Sequence, residues 1–188
     1  PPAALIKASL LNTAEDIGNA GPDFIYGWGR VNALRALRTL EENRYLTDSI
    51  LQGQNKTHNI IIPAGTKQVR VMVYWSDVGG SPAAAPALVN NLNMKVTDPS
   101  TTQWNPWILD PTPIAANLNT PAVRGVDSLN NMEQVTLENP AAGTYTVTIN
   151  GYAVPSIGQR YYLVWEFRSE ALTLTYPNGG EGFVPGET

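Results

Sequence analysis

The sequence contains no cysteine among its 188 residues. A chain without cysteine has no disulfide framework, no thiolate metal site and no cysteine nucleophile, so a zinc site is not expected. This absence is compatible with secretion, because exported proteins can be stabilised by a large core and by bound cations in place of disulfides.

Positive charge and long apolar runs are also scarce. There are 12 Lys and Arg residues against 16 Asp and Glu residues, which gives a net charge of -4. Surfaces that bind nucleic acids or anionic membranes need clustered positive charge, so neither partner is expected. No apolar run approaches the roughly 20 residues of a membrane-spanning helix. The chain begins Pro1-Pro2-Ala3 without Met, and we expect any export signal to lie upstream.

A first helix is predicted over residues 2–11. Its proline suits the first helical turn, and Ala and Leu are strong helix formers. Apart from Lys7 and Ser9 the segment is apolar all round, which is typical of a helix buried inside a larger domain. We therefore expect it to pack against the sandwich predicted below, to pair with a second copy or to fray.

A second helix is predicted after Gly27-Trp28-Gly29, with Asn32 as its N-cap. Apolar residues recur near helical spacing at Val31, Leu34, Leu37 and Leu40. The solvent side of this helix is predicted to carry Arg35, Arg38, Glu41 and Glu42.

From about residue 55 the hydrophobic period changes to two, which is typical of half-buried strands. The predicted strands are 58–62, 69–75, 92–97, 132–137, 144–149 and 161–167. Turn residues separate them without an intervening helix, so an antiparallel β-sandwich is predicted. Residues 99–127 have little periodicity and are predicted to form a long loop. Alternating apolar residues at 172–176 predict the first strand of a further β domain.

Several segments together carry a family resemblance. Leu10-Leu-Asn-Thr-Ala-Glu-Asp is followed by Tyr26-Gly-Trp-Gly-Arg-Val-Asn-Ala, and this order and spacing resemble the closing passage of subtilisin-like serine protease domains. Val73-Tyr-Trp-Ser-Asp, Asp127-Ser-Leu-Asn-Asn-Met-Glu-Gln-Val and Gly143-Thr-Tyr-Thr-Val are similar to the jelly-roll sandwich that follows the catalytic domain in some bacterial alkaline members of this family.

The resemblance implies a mainly β chain with three parts. Residues 1–48 would supply the last two helices of an α/β catalytic domain, residues 49–169 an antiparallel jelly-roll-like β-sandwich, and residues 170–188 a linker and the first strand of an immunoglobulin-like domain. The parent would be a secreted bacterial serine endopeptidase that acts on proteins, and the partner of this segment would be the upstream catalytic domain of the same polypeptide.

The catalytic motifs of that family are missing. Neither Gly-Thr-Ser-Met-Ala, which carries the serine, nor the Asp and His motifs occur in the sequence, and a triad needs all three groups. The single histidine, His58, is expected to have a structural or solvent role. No catalytic residue is therefore predicted, and the chain alone is expected to be inactive.

Oxygen-bearing side chains suggest a calcium site. The candidate ligands are Asp77, Asn91, Asn93, Asp127, Asn131 and Glu133, with Asn90 and Asn130 beside them. Calcium takes six to eight oxygen ligands, and the alternation of Asn91 and Asn93 places two amides on one side of a strand. The family resemblance implies calcium as well, since such sandwich domains often hold it. The alternative is that these residues cap turns and strand ends.

Trp104 and Trp107, with Tyr152, form a candidate platform for stacking sugar rings, because jelly-roll sandwiches also serve as carbohydrate-binding modules. The alternative is that both tryptophans pack over the sandwich edge. Trp75 and Trp165 are predicted to lie in the core. Two further functions thus remain open, a carbohydrate- or protein-binding module and a structural spacer.

Overall fold

The structure is a computed structural model that describes residues 1–169. Its helices are α1 (Ala3–Asn12), α2 (Ala33–Glu41) and α3 (Ala115–Leu118). Its strands are β1 (Tyr45–Ile50), β2 (Asn55–Ile62), β3 (Gln68–Trp75), β4 (Asn91–Thr97), β5 (Gln103–Trp104), β6 (Trp107–Ile108), β7 (Val123–Arg124), β8 (Met132–Glu138), β9 (Gly143–Ala153) and β10 (Gln159–Arg168). None of the helices in this part of the chain is long and apolar enough to cross a membrane.

Two four-stranded antiparallel sheets form the molecule. Sheet 1 has the order β1-β10-β3-β8 and sheet 2 the order β2-β9-β4-β5, while β6 and β7 pair separately. Successive strands mostly alternate between the two sheets, which is the jelly-roll arrangement. The prediction of a mainly β chain with an antiparallel sandwich after two helices is confirmed.

The main core fills the space between the sheets. Every second residue of β3 and β4 points inward, and Trp75, Leu92 and Leu163 are fully buried there. Trp165 packs against the same core, so both tryptophans predicted to be internal are confirmed. Burial of these large apolar side chains between two sheets is the main source of stability in a sandwich.

Helix α1 covers the outer face of sheet 1. Leu5 and Ala8 pack with Met72, Tyr162 and Val164 in a second core. The expectation that the apolar helix packs against the sandwich is thus confirmed. A consequence is that β3 is buried on both faces, and the prediction that its alternate residues face solvent is wrong.

The connection between α1 and α2 folds back on itself. The Glu15 N–H donates to the Arg30 carbonyl at 2.7 Å, and the Arg30 N–H donates to the Glu15 carbonyl at 2.8 Å. Gly29 has φ +102°, and a Cβ there would lie 2.0 Å from the Glu15 carbonyl oxygen. Glycine is therefore required where the two family-like segments cross.

Helix α2 begins as predicted, since the Asn32 side chain accepts a hydrogen bond from the Arg35 N–H at 3.0 Å. Its orientation differs from the prediction. Ala36 is buried, whereas Leu34 and Leu37 are exposed. Arg35 was predicted to face solvent, but it forms a bidentate ion pair with Glu166 of β10, so that prediction is wrong.

Most predicted strands occur near their expected positions, but β1 is additional and crosses the predicted domain boundary at 48/49. The long loop at 99–127 contains the short elements β5, β6, α3 and β7. The strand predicted at 172–176 lies outside the described residues.

Candidate functional site

Three buried oxygens define the candidate cation site. Among the described residues, Asn91 Oδ1, Asn93 Oδ1 and Glu133 Oε1 are buried and have no hydrogen-bond partner. Buried polar atoms without a partner are uncommon in folded proteins, because each one loses its hydration without compensation. Unpartnered carboxylate and amide oxygens of this kind are candidate ligands for a cation.

Glu133 is placed inside the sandwich by the alternation of β8. It lies two residues before Val135, which belongs to the core between the sheets, and it is only 1% exposed. One carboxylate oxygen accepts the Met94 backbone N–H at 2.5 Å, so the side chain connects β8 of sheet 1 with β4 of sheet 2. Asn93 is the neighbour of Met94 in β4 and Asn91 begins the same strand.

The carboxylate of Asp127 belongs to the same region. Burial is the main cause that raises the pKa of Glu133 well above its usual range, and the negative charge of Asp127 raises it further, while the Met94 N–H lowers it. Asp127 also accepts bonds from the Leu129 N–H, the Asn130 N–H and the Asn130 amide at 2.7–3.1 Å. A carboxylate accepts about four bonds, which leaves Asp127 capacity for one more donor or cation.

The remaining predicted ligands are engaged in local structure. Asp77 accepts the backbone N–H groups of Val78, Val89 and Asn90 at 2.6–2.9 Å, so it closes the loop between β3 and β4. The Asn131 amide donates to the Trp75 carbonyl at 2.6 Å. Asn90 bonds to Gln159 and Ser156.

The candidate donors are therefore Glu133, Asp127, Asn91 and Asn93. Carboxylate and amide oxygens suit calcium, and the orphaned oxygens fit that chemistry. Within residues 1–169 no group of three or more His, Asp or Glu side chains is placed to hold a metal. A cation here would consequently depend on the amide oxygens as well as the two carboxylates.

A second candidate site is a cavity of about 750 Å³ between the N-terminal segment and the sandwich. Trp104 and Trp107 both line it, together with Trp28 from the turn before α2. Tyr152 does not belong to this group; it is 63% exposed on β9. We call this the aromatic cavity.

Comparison with known proteins gives a limited relationship. No family model matches the chain. The sequence is 25% identical over 174 residues to the serine protease/ABC transporter B family protein tagA of Dictyostelium discoideum, covering 87% of this chain. The chain spans about 10% of that relative's length. This weak similarity to a protease-related protein agrees with the coarser part of the predicted resemblance.

Solved structures add no further argument about function. Lipase BlEst2 of Bacillus licheniformis in propeptide form matches 67% of this chain and 22% of its own, with 16% identity and a TM-score of 0.41. PliG of Aeromonas hydrophila, a periplasmic inhibitor of g-type lysozyme, matches 66% of this chain and 84% of its own, with 16% identity and a TM-score of 0.32. Neither is a subtilisin-like protease.

His58 has a structural environment. Its Nε2 atom lies 2.7 Å from the Tyr161 hydroxyl, which joins β2 of sheet 2 to β10 of sheet 1. Burial lowers the pKa of His58, the charge of Asp48 raises it, and Lys56 lowers it. A hydrogen bond between the two sheets fits the expected structural role of His58.

Sequence patterns did not identify two components of these sites. Trp28 was visible only as part of the Gly-Trp-Gly turn, and its place in the aromatic cavity depends on how residues 16–28 fold over sheet 1. Arg124 is the second: its guanidinium carbon lies 3.6 Å from the Trp107 ring centroid. Trp107 and Arg124 both lie in the aperiodic region 99–127, whose sequence gave no indication of this contact.

Proposed function

We propose that the chain is the non-catalytic C-terminal segment of a secreted bacterial subtilisin-like serine endopeptidase. Peptide-bond hydrolysis would be carried out by a triad upstream, and this segment would complete and stabilise the catalytic domain. Support comes from the order of the two N-terminal motifs, from the jelly-roll topology expected after them, and from the similarity to a protease-related protein.

The observation that carries the proposal is an unpaired apolar surface on the N-terminal segment. Phe24, Ile25, Tyr26, Val31, Leu34 and Leu37 are all 47–66% exposed. Leu34 and Leu37 are three residues apart on α2 and therefore share a side of the helix. Exposed apolar groups that lie side by side mark interaction surfaces. If residues 1–48 are the end of a catalytic domain, the upstream part of that domain is the partner expected to cover them.

The N-terminal segment is also placed so that it could contact the sandwich on one side and an upstream domain on the other. On one side α1 and Arg35 are fixed to sheet 1 through a buried apolar cluster and the ion pair with Glu166. On the other side the exposed apolar residues are available to an upstream domain. Packing on both sides would couple the stability of the catalytic domain to that of the sandwich.

Calcium is part of this proposal. Glu133, Asp127, Asn91 and Asn93 would hold the ion, which would supply positive charge next to a buried carboxylate. These residues lie in β4, in β8 and in the turn before β8, so the bound ion would tie the two sheets together at their open edge.

The decisive experiment uses the parent polypeptide from the gene in two lengths, one ending after residue 44 and one continuing through residue 188. The shorter enzyme is expected to lose activity on heating much faster than the longer one, because the face of α1 that packs on sheet 1 is then uncovered. Equal inactivation half-lives and equal kcat/KM would instead favour a structural spacer.

A further inference from the structure

The aromatic cavity has walls from four separate parts of the chain. Asp16, Gly21 and Trp28 come from the N-terminal segment, and β3 and β8 contribute Gln68 and Thr136. The turns at 98–100 and 139–141 close the remaining sides. A volume of about 750 Å³ falls within the range of small-molecule sites, which is about 300–1,000 Å³.

The aromatic side chains are fixed before any ligand arrives. The Trp104 indole donates to Asp98 at 3.3 Å, and the Trp107 indole donates to Thr136 at 3.3 Å. Arg124 stacks on the Trp107 ring. All three cavity tryptophans are half-buried, so part of each remains available. Rings that are already ordered bind a ligand with little further loss of conformational entropy.

The polar groups of the cavity disfavour an anionic ligand. Its two guanidinium groups are already used: Arg70 donates to the Ala14 carbonyl, and Arg124 donates to the Thr136 and Asn105 carbonyls. The carboxylates of Asp16 and Glu138 line the same space, and each accepts one hydrogen bond within the protein, whereas Asp98 already accepts four. A ligand bearing hydroxyl donors would therefore find acceptors, whereas a phosphate or a carboxylate would be repelled.

Aromatic walls combined with carboxylates and amides match one ligand chemistry well. A neutral sugar ring has an apolar face of C–H groups that packs on an aromatic ring, and equatorial hydroxyls that donate to carboxylate and amide oxygens. We propose that the aromatic cavity is a binding site for a neutral oligosaccharide, a function independent of the proposed support of a catalytic domain.

The five tryptophans of the chain provide a direct test by nuclear magnetic resonance. The complete chain, labelled with ¹⁵N, is titrated with hexasaccharides of β-1,4-glucose, β-1,4-xylose, β-1,4-N-acetylglucosamine and α-1,4-glucose. At least one sugar is expected to shift the indole signals of Trp28, Trp104 and Trp107. The signals of Trp75 and Trp165, whose side chains do not line the cavity, should stay in place.

Three variants locate the binding site. Ala141→Trp fills the cavity from an exposed turn without removing any wall, and it is expected to abolish binding. Trp104→Ala is expected to weaken binding at least tenfold. Tyr152→Ala removes an exposed aromatic ring outside the cavity and should leave the affinity unchanged. Well-dispersed signals of Trp75 and Trp165 report that each variant remains folded; in Trp104→Ala a slight movement of these signals is expected, because Trp104 packs against the same core.

Three results would overturn the proposal. The first is the absence of indole shifts with every sugar up to about 10 mM, well above the roughly 1 mM Kd of weak specific binding. The second is sugar binding that persists in Ala141→Trp. The third is a response of the cavity tryptophans to a proline-rich peptide alone, which would assign the cavity to extended peptides.

Discussion

Glu133 has an unusual environment for a carboxylate. A carboxylate that is 1% exposed and bonded to a single backbone N–H loses most of its hydration when ionised. Such a loss is compensated in proteins by a counter-charge, by a cation or by protonation. The described residues place a second carboxylate, Asp127, near Glu133 rather than a positive side chain, which is why a cation is the partner proposed.

Calcium is therefore expected to raise the thermal midpoint of the chain relative to a chelator. At a free concentration 100 times Kd the stabilisation would be about 2.7 kcal/mol. Glu133→Gln should lose this calcium-dependent shift, because the amide keeps the shape of the side chain but not its charge. Glu138→Gln, an exposed position on the same strand, is the matched control and should retain the shift. An identical wild-type midpoint in calcium and in chelator would contradict the site.

His58 should make stability depend on pH. Burial lowers its pKa in the folded state, so between the folded pKa and the unfolded value of about 6.5 the unfolded chain binds more protons. The free energy of unfolding is thus expected to fall as the pH decreases below about 6.5.

Urea unfolding of wild type and His58→Gln between pH 7.5 and pH 5 measures this contribution as a difference in slope. The facing groups are Tyr161, Asp48 and Lys56. Tyr161→Phe serves as the control, since it removes the hydrogen bond but keeps a buried imidazole, and its slope should resemble that of wild type. Parallel curves for wild type and His58→Gln would argue against the assignment.

At this scale the sequence pattern selected a set of oxygen-bearing residues but did not show that their environments differ. Asn91 and Asn93 were selected by their alternation, and both have orphaned amide oxygens. Asp77 looked equally suitable, yet three backbone N–H groups bind its carboxylate. Whether a carboxylate meets its own loop or another strand is a tertiary property that one-dimensional spacing does not encode.

Among the elements, α1 shows why burial is easier to predict than location. Its nearly continuous apolar sequence predicted a covered helix, and the sandwich covers it. Which face of which sheet would do so was not predictable, because β3 reads as an ordinary half-buried strand. The apolar residues Met72 and Tyr74 on its outer face were the available signal.

Two neighbouring residues of α1 test this packing. Leu5 is 2% exposed and contacts the second core, whereas Ile6 is 41% exposed. Leu5→Ala is expected to lower the free energy of unfolding by about 2–5 kcal/mol, because it leaves a cavity against sheet 1. Ile6→Ala, the adjacent control with a somewhat larger gain in helix propensity, should have a much smaller effect in urea unfolding. Equal losses for both would mean that α1 is not docked as described.

Helix α2 shows the opposite case. The periodic pattern predicted the helix correctly, but it did not predict which side of the helix faces the sandwich. Leu40 packs against the second core as the pattern predicts, but Leu34 and Leu37 are exposed, and Ala36 and Thr39 are buried instead. The ion pair between Arg35 and Glu166 fixes this orientation. A helix whose apolar side faces outward is unusual for a complete domain and is explained if a further domain covers it.

For the whole molecule, the order of the strands was largely predictable, but the pairing of the first strand, β1, with the last, β10, was not. β1 was missed because Thr47, Asp48 and Ser49 interrupt its apolar pattern, yet it pairs along its length with β10. Pairing with a strand more than 100 residues away is a long-range property. The same limit applies to the aromatic cavity, whose walls converge from residues 16 through 145.

The outward apolar side of α2 leads to a prediction for the assembled enzyme. Leu34→Asp combined with Leu37→Asp should leave the midpoint of the isolated chain nearly unchanged, because both side chains are about half exposed there. In the parent polypeptide the same pair would place two charges in the interface with the upstream domain, which is strongly unfavourable. If the proposed function is correct, the parent is therefore expected to lose its peptidase activity or to show a much shorter thermal half-life.

Ile157→Asp provides the matched control, since Ile157 is a fully exposed apolar residue in a loop of the sandwich. It should affect neither the isolated chain nor the parent enzyme. If the α2 variant were as active and as heat-stable as the control in the parent, the exposed leucines would not be an internal domain interface. The variant acts on the contact between domains, whereas truncation after residue 44 removes the sandwich itself, so the two experiments separate docking from support.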